Sequence, residues 1–264
     1  MGQSVSYLRT VIAVVATAVL ATVVLTAGNE PPSPESQLPS TTITVSAASS
    51  LTDVFPVVAE AFTKRYPDIT VRFNFGPSNG LVEQVRAGAP IDVLATADED
   101  TMRRATNDGL TESPLLFARN SLTIAVPKGN PAQIRSLADL EKPNVAVALC
   151  NPKVPCGQLA ARLLAKNRLQ VTPITREVDV RGVLGKVMAD EVDAGVVYST
   201  DVTAFPGDVD GVPIPGNQNV FTDYPIARVA ESGKAAAADA FIDFVRNSSP
   251  AQQTLRAWGF SQPW

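Results

Sequence analysis

The 264-residue chain is 45% hydrophobic and 18% charged, enough apolar mass to bury a core in one or two domains and too apolar for a disordered chain. A net charge of −4 argues against nucleic acid and acidic membrane surfaces as partners, because both select basic faces. The complete absence of histidine removes the Ser-His-Asp triad and His-based zinc chemistry.

Arg9 precedes an uncharged run from Val11 to Ala27, and Gly28 then opens a polar stretch, Asn29 to Thr41, that carries Pro31, Pro32, Pro34 and Pro39. That is the layout of an export segment (residues 1–28) followed by a linker (29–41). Thr26-Ala27-Gly28 is small enough for signal cleavage, yet the run is long for a signal core and near the short limit of a membrane span. Both cleavage and retention stay open, with a tethered form favoured. A myristoylation pattern at Met1-Gly2 and Ser6 is set aside because an export signal follows it directly. The expected location is the cell envelope, in the periplasmic space or on the outer face of the cytoplasmic membrane.

Beyond the linker the pattern alternates strand and helix. Ile43–Ser46 reads as a strand, and Val54, Val57, Val58, Ala61 and Phe62 then recur at helical spacing, with Pro56 tolerated in the first turn if Thr52 or Asp53 caps. Ile69–Phe75 alternates as a strand. A helix after Ser78 turns Leu81, Val82 and Val85 inward and ends at Gly88 and Pro90; Asp92–Thr96 is the third strand. A second set follows, with strands at Ser121–Val126, Asn144–Leu149, Ile174–Val178 and Ala194–Tyr198 and helices opening near Cys156 and Val180. Tyr224–Val229 forms one more strand before helices at Lys234–Val245 and Pro250–Trp258. Apolar strands separated by amphipathic helices specify an α/β chain with mostly parallel sheets flanked by helices. The expected organisation is two lobes, 42–120 with 221–264 and 121–220, with a ligand cleft between them.

Cys150 and Cys156 lie six apart across a loop holding Pro152 and Pro155. In an exported protein the pair reads as a disulfide worth about 2 to 3 kcal/mol on the loop-entropy account, with two free thiols as the alternative. A metal site built on two cysteines without histidine is poor chemistry.

Four stretches end a strand on a small or hydroxyl-bearing residue and open a helix: Ser46–Asp53, Phe75–Leu81, Pro152–Gly157 and Asp179–Gly182. Helix N-termini present unpaired N–H groups and partial positive charge, so several converging on one cleft make an anion receptor that needs neither lysine nor metal. In open α/β sheets, ligands lie beyond the carboxyl ends of the strands, where all four turns point.

Ala47-Ala48-Ser49-Ser50-Leu51-Thr52, Ala87-Gly88-Ala89-Pro90-Ile91-Asp92-Val93, Val154-Pro155-Cys156-Gly157, Asp179-Val180-Arg181-Gly182, Gly195-Val196-Val197-Tyr198 and Tyr224-Pro225-Ile226 together resemble the periplasmic molybdate-binding proteins, the capture components of molybdate ABC importers. The resemblance runs from about Ile43 to Phe260, in order and spacing. It implies a two-lobed periplasmic-binding-protein type II fold, no enzymatic activity, no cofactor, and an ABC permease as partner. It also implies a tetrahedral oxyanion, molybdate or tungstate, held by the hydroxyls of Ser50, Ser78 and Tyr198 and the backbone N–H groups of Cys156 and Val180. The chain departs from the family pattern at Gly76-Pro77-Ser78-Asn79-Gly80, where a serine-rich run is common, at Cys156, where alanine is common, and at Asn29, where related lipoproteins carry the lipid-bearing cysteine.

Each site residue also has a plainer reading. Serine before a helix commonly caps it, the Val180 side chain belongs in the core whatever its N–H does, and a buried phenol takes any available partner. Arg181 invites a role as anion clamp, but an ion pair with Glu177 or Asp179 is the simpler expectation. A donor-only site suits molybdate, which carries no proton at neutral pH, and penalises protonated phosphate or arsenate. Competing functions are a receptor or sensor for sulfate or a small organic acid, and a hydrolase drawing on Asp92, Asp98, Asp179, Lys128 or Lys153, for which no nucleophile elbow or metal-ligand spacing is present. A monomer is the default state.

Overall fold

The computed structural model describes residues 38–263, so the export segment 1–28 and most of the linker 29–41 lie outside the described residues. The chain begins with β1 (Thr41–Ala48), a 3₁₀ turn at Ser49–Leu51, α1 (Val54–Arg65), β2 (Ile69–Gly76), α2 (Ser78–Arg86), β3 (Val93–Ala95) and α3 (Glu99–Asn107). A long strand, β4 (Thr111–Pro127), leads to β5 (Val147–Cys150), α4 (Pro155–Lys166), β6 (Thr175–Glu177), α5 (Val180–Met188), β7 (Ala194–Tyr198), α6 (Ser199–Ala204) and β8 (Val209–Pro213). The chain returns through β9 (Phe221–Val229) and ends in α7 (Ala235–Asn247) and α8 (Ser249–Ala257).

The strands run in the order β2-β1-β3-β9-β4-β7-β5-β6, with β8 also paired to β4. Two parallel groups, β2-β1-β3 and β7-β5-β6, match the parallel character read from the sequence. Between them β9 runs antiparallel to both β3 and β4, and β4 runs antiparallel to β7 and β8. The expectation of mostly parallel sheets therefore holds for the outer strands and gives way to a mixed sheet at the centre. Strand β4 explains the mixture: residues 111–121 pair with β9 and residues 122–127 with β7 and β8, so one strand serves two half-sheets. Its continuity is interrupted by register shifts after Glu112 and Leu116, near Ser113, whose φ is +47°.

Helix α1 buries Val54, Phe55, Val58, Ala59 and Phe62, whereas Val57 is exposed and Ala61 only partly covered. The helix is thus rotated from the stripe read in the sequence. Turning Phe55 inward sets its ring 5.6 Å from Phe117, while Phe62, buried on either reading, stays 5.2 Å from Phe241; burying the Phe55 ring outweighs exposing one valine. Pro56 sits in the first turn, as expected, but the Asp53 side chain does not cap this helix. Helix α2 buries Leu81, Val82 and Val85 as read, and the chain leaves it through Gly88 at φ +78°, a conformation open to glycine without strain.

Candidate functional site

The turns after β1, β2, β5, β6 and β7 meet in one small hollow. Its lining is Ala48, Ser49, Ser50, Gly76, Pro77, Ser78, Ala97, Val154, Pro155, Cys156, Asp179, Val180 and Tyr198. Ser50, Ser78, Cys156, Val180 and Tyr198, the five residues singled out in the sequence, all belong to it, and each is at most 4% exposed. The space open to the centre of a water-sized sphere is about 20 Å³, suited to one compact group. No lysine or arginine lines it, and Asp179 is its one charged residue.

Ser78 is the first residue of α2, and its Oγ accepts the Ala97 N–H at 3.1 Å. An N–H can only donate, so the Ser78 hydroxyl proton is free for another partner. Ser50 lies in the 3₁₀ turn, with its Oγ 2.9 Å from Tyr224 Oη. Tyr198 ends β7, and its Oη makes no hydrogen bond to any described residue although the side chain is 1% exposed. Burial pushes the Tyr198 phenol well above its usual range, so it keeps its proton and remains a donor. A buried, unpartnered phenol on a cavity wall is costly unless something that accepts a hydrogen bond comes to meet it.

Two helix N-termini supply the facing wall. Helix α4 starts with Pro155, which has no N–H to leave unsatisfied, so Cys156 carries the first free N–H of the helix. Its position is fixed from two sides. Cys156 is disulfide-bonded to Cys150 at the end of β5, as expected, and a Cβ on Gly157 would lie 1.9 Å from the Asn151 carbonyl oxygen, an approach only glycine allows. Helix α5 starts at Val180, whose side chain is buried as anticipated; Asp179 caps it by accepting the Gly182 N–H at 2.9 Å. The first-turn N–H of Val180 has no acceptor within its own helix.

Several bonds cross the hollow that the sequence did not disclose. Ser49 Oγ donates to Asp179 Oδ2 at 2.7 Å, so both oxygens of that carboxylate are engaged, the other by the Gly182 N–H. Arg181 pairs with Asp53 and lies 3.3 Å from Asp201, not with Glu177 or Asp179 as expected, because the α5 cap already engages Asp179 and the arginine reaches across to α1. It is thereby committed to carboxylates and is no free anion clamp. Asp201 is fully buried, accepts the Tyr198 N–H at 3.0 Å, and is pushed up to about 7 by burial against the opposing pull of Arg181. The groups weighed for hydrolysis do not assemble: Asp92 holds the Thr44 N–H, Ser232 and Lys234, Asp98 caps α3, and Lys128 pairs with Asp210.

A buried anion-sized hollow between two half-sheets joined by β4 and β9 defines a solute-binding protein of the periplasmic type II class. The chain belongs to the bacterial extracellular solute-binding protein family, whose profile matches residues 43–261. It is 35% identical over 222 residues to the molybdate-binding protein ModA of Mycobacterium tuberculosis, covering 84% of this chain and 85% of that one. Identity to ModA of Escherichia coli is 30% over 234 residues, covering 83% and 88%. Among solved structures, the periplasmic molybdate-binding protein of Azotobacter vinelandii superimposes with a TM-score of 0.74 at 18% identity, over 84% of this chain and all of the other. The family places this chain among proteins that bind solutes rather than transform them.

Proposed function

We propose that this chain captures molybdate outside the cytoplasm and delivers it to an ABC permease. The relatives named above support the ligand class. The observation that carries the reading at the level of chemistry is the unpartnered Tyr198 hydroxyl, buried on a wall that also offers Ser50, Ser78 and the N-termini of α4 and α5. The Ser50, Ser78 and Tyr198 hydroxyls and the Cys156 and Val180 N–H groups each donate to one tetrahedral dianion. Such a site holds an ion without protons and disfavours the O–H of hydrogen phosphate, because the one carboxylate in the lining, Asp179, already accepts from Ser49 and the Gly182 N–H, while a fixed hollow discriminates by size against sulfate. Tungstate, nearly the same size as molybdate, is bound as well.

Residues 42–120 with 221–264 form one lobe and 121–220 the other. The anion bridges donors from both and shifts the equilibrium towards the closed form, which docks on the permease as a monomer. Residues 11–27 tether the protein to the envelope.

A calorimetric panel of molybdate, tungstate, sulfate, phosphate and chromate tests the reading. Tight binding of the first two with weak binding of sulfate and phosphate is expected; preference for sulfate or phosphate would overturn it.

A further inference from the structure

Tyr224 does not itself line the cavity; fully buried on β9, it reaches the lining through its ring, edge-on to Tyr198, and through its hydroxyl, 2.9 Å from Ser50 Oγ. Its surroundings fix the direction of a hydrogen-bond chain. Asn120 Oδ1 accepts the Ser121 N–H at 2.9 Å, and since an N–H can only donate, the other side-chain atom of Asn120 is its amide nitrogen. That nitrogen has two protons and two acceptors in reach, Thr200 Oγ1 at 2.9 Å and Tyr224 Oη at 3.4 Å. With one side of Tyr224 Oη occupied by the Asn120 proton, its own proton goes to Ser50 Oγ. A phenol is the stronger donor of the two hydroxyls, which favours the same direction. Ser50 Oγ is then an acceptor towards Tyr224, and its proton is directed away from β9.

We infer that Asn120 and Tyr224 are positioning residues that hold Ser50 as a hydrogen-bond donor towards the cavity, so that specificity for an unprotonated oxyanion is set partly on the two strands joining the half-sheets. The inference rests on the oxyanion reading above. Ser78 shows the same principle in a simpler form, with the Ala97 N–H as the obligate donor behind it. The relay behind Ser50 differs because it runs through side chains: the Ser121 N–H orients Asn120, whose amide then donates to Tyr224 and, on a side branch, to Thr200 on α6. Reversing any link would turn a lone pair of Ser50 towards the anion.

Two variants separate this role from a structural one. Tyr224→Phe keeps the ring that packs edge-on against Phe117, Tyr198 and Phe260 and removes only the hydroxyl. Molybdate affinity is expected to fall roughly tenfold with the thermal midpoint little changed. In the double variant with Ser50→Ala, the loss should be no greater than for Ser50→Ala alone, because Tyr224 acts through that hydroxyl. Asn120→Asp places an acceptor against Tyr224 and draws its proton away from Ser50; the ratio of molybdate to hydrogen phosphate affinity should drop by more than in Tyr224→Phe. Unchanged affinity in Tyr224→Phe, losses that multiply in the double variant, or an unaltered anion ratio in Asn120→Asp would each overturn the relay. Failure of the unsubstituted protein to bind molybdate would instead overturn the oxyanion reading, and the relay with it.

Discussion

The two walls of the cavity reach the same end by different means. From the half-sheet of β1, β2 and β3 come serine hydroxyls, which rotate and must be told which way to point; the Ala97 N–H does this for Ser78 and Tyr224 for Ser50. From the half-sheet of β5, β6 and β7 come the starts of α4 and α5, whose N–H groups point along the helix axis without instruction and survive any side-chain change that preserves the backbone. The first wall is therefore sensitive to side-chain chemistry and the second, apart from the Tyr198 hydroxyl at the end of β7, to backbone placement.

The sharpest way to break the second wall is Gly157→Ala. The added Cβ would overlap the Asn151 carbonyl, so the start of α4 must move, and calorimetry should show molybdate affinity reduced by more than about a hundredfold together with a lower thermal midpoint. On the first wall, Ser50→Ala or Ser78→Ala each removes one hydrogen bond to a charged group, about 1.5 to 3 kcal/mol, and should weaken binding roughly ten- to hundredfold while the fold survives. Unchanged titrations would remove those serines from the site. Reducing the Cys150–Cys156 disulfide should lower unfolding free energy by about 2 to 3 kcal/mol in denaturant titrations, with a smaller effect on affinity because Gly157 still packs against Asn151.

A further expected effect concerns pH and bears on stability, with none expected on anion affinity. The folded Asp201 carboxyl is held up to about 7, against 3.8 ordinarily, so between these values the native state keeps a proton that the unfolded chain releases. Its contribution to stability is present below about pH 4 and is lost as pH rises through about 7. Asp201→Asn should flatten that part of the pH dependence of the thermal midpoint; an equal slope in both proteins would show that Asp201 does not titrate there.

Much of this arrangement was legible in the chain, and the gaps have physical causes. Strand β7 and the inward face of α2 follow from short apolar runs and helical spacing, because nothing else competes for those residues. Helices α3 and α6 were missed: α3 buries only Thr101, Met102 and Ala105 in a mostly polar segment, and α6 is too short to show a period. The first half of β4 is disguised by Pro114 and by its register shifts. The strand ends that open helices pointed to the cavity, and the resemblance to the molybdate-binding proteins named the five lining residues within it. Their supports could not be named, since Tyr224 meets Ser50 across 174 residues and Asp179 meets Ser49 across 130, and local pattern carries no record of such pairings. Arg181 failed for the same reason: its partner Asp53 belongs to the other wall.

The most direct test is a crystal structure of the protein grown with molybdate, with the metal located by its anomalous scattering. The expected result is one molybdenum in the cavity, its oxygens within hydrogen-bond distance of Ser50, Ser78 and Tyr198 hydroxyls and the Cys156 and Val180 N–H groups. An anion bound elsewhere, or one drawn to Arg181 with Tyr198 Oη still unpartnered, would contradict a pocket built from uncharged donors.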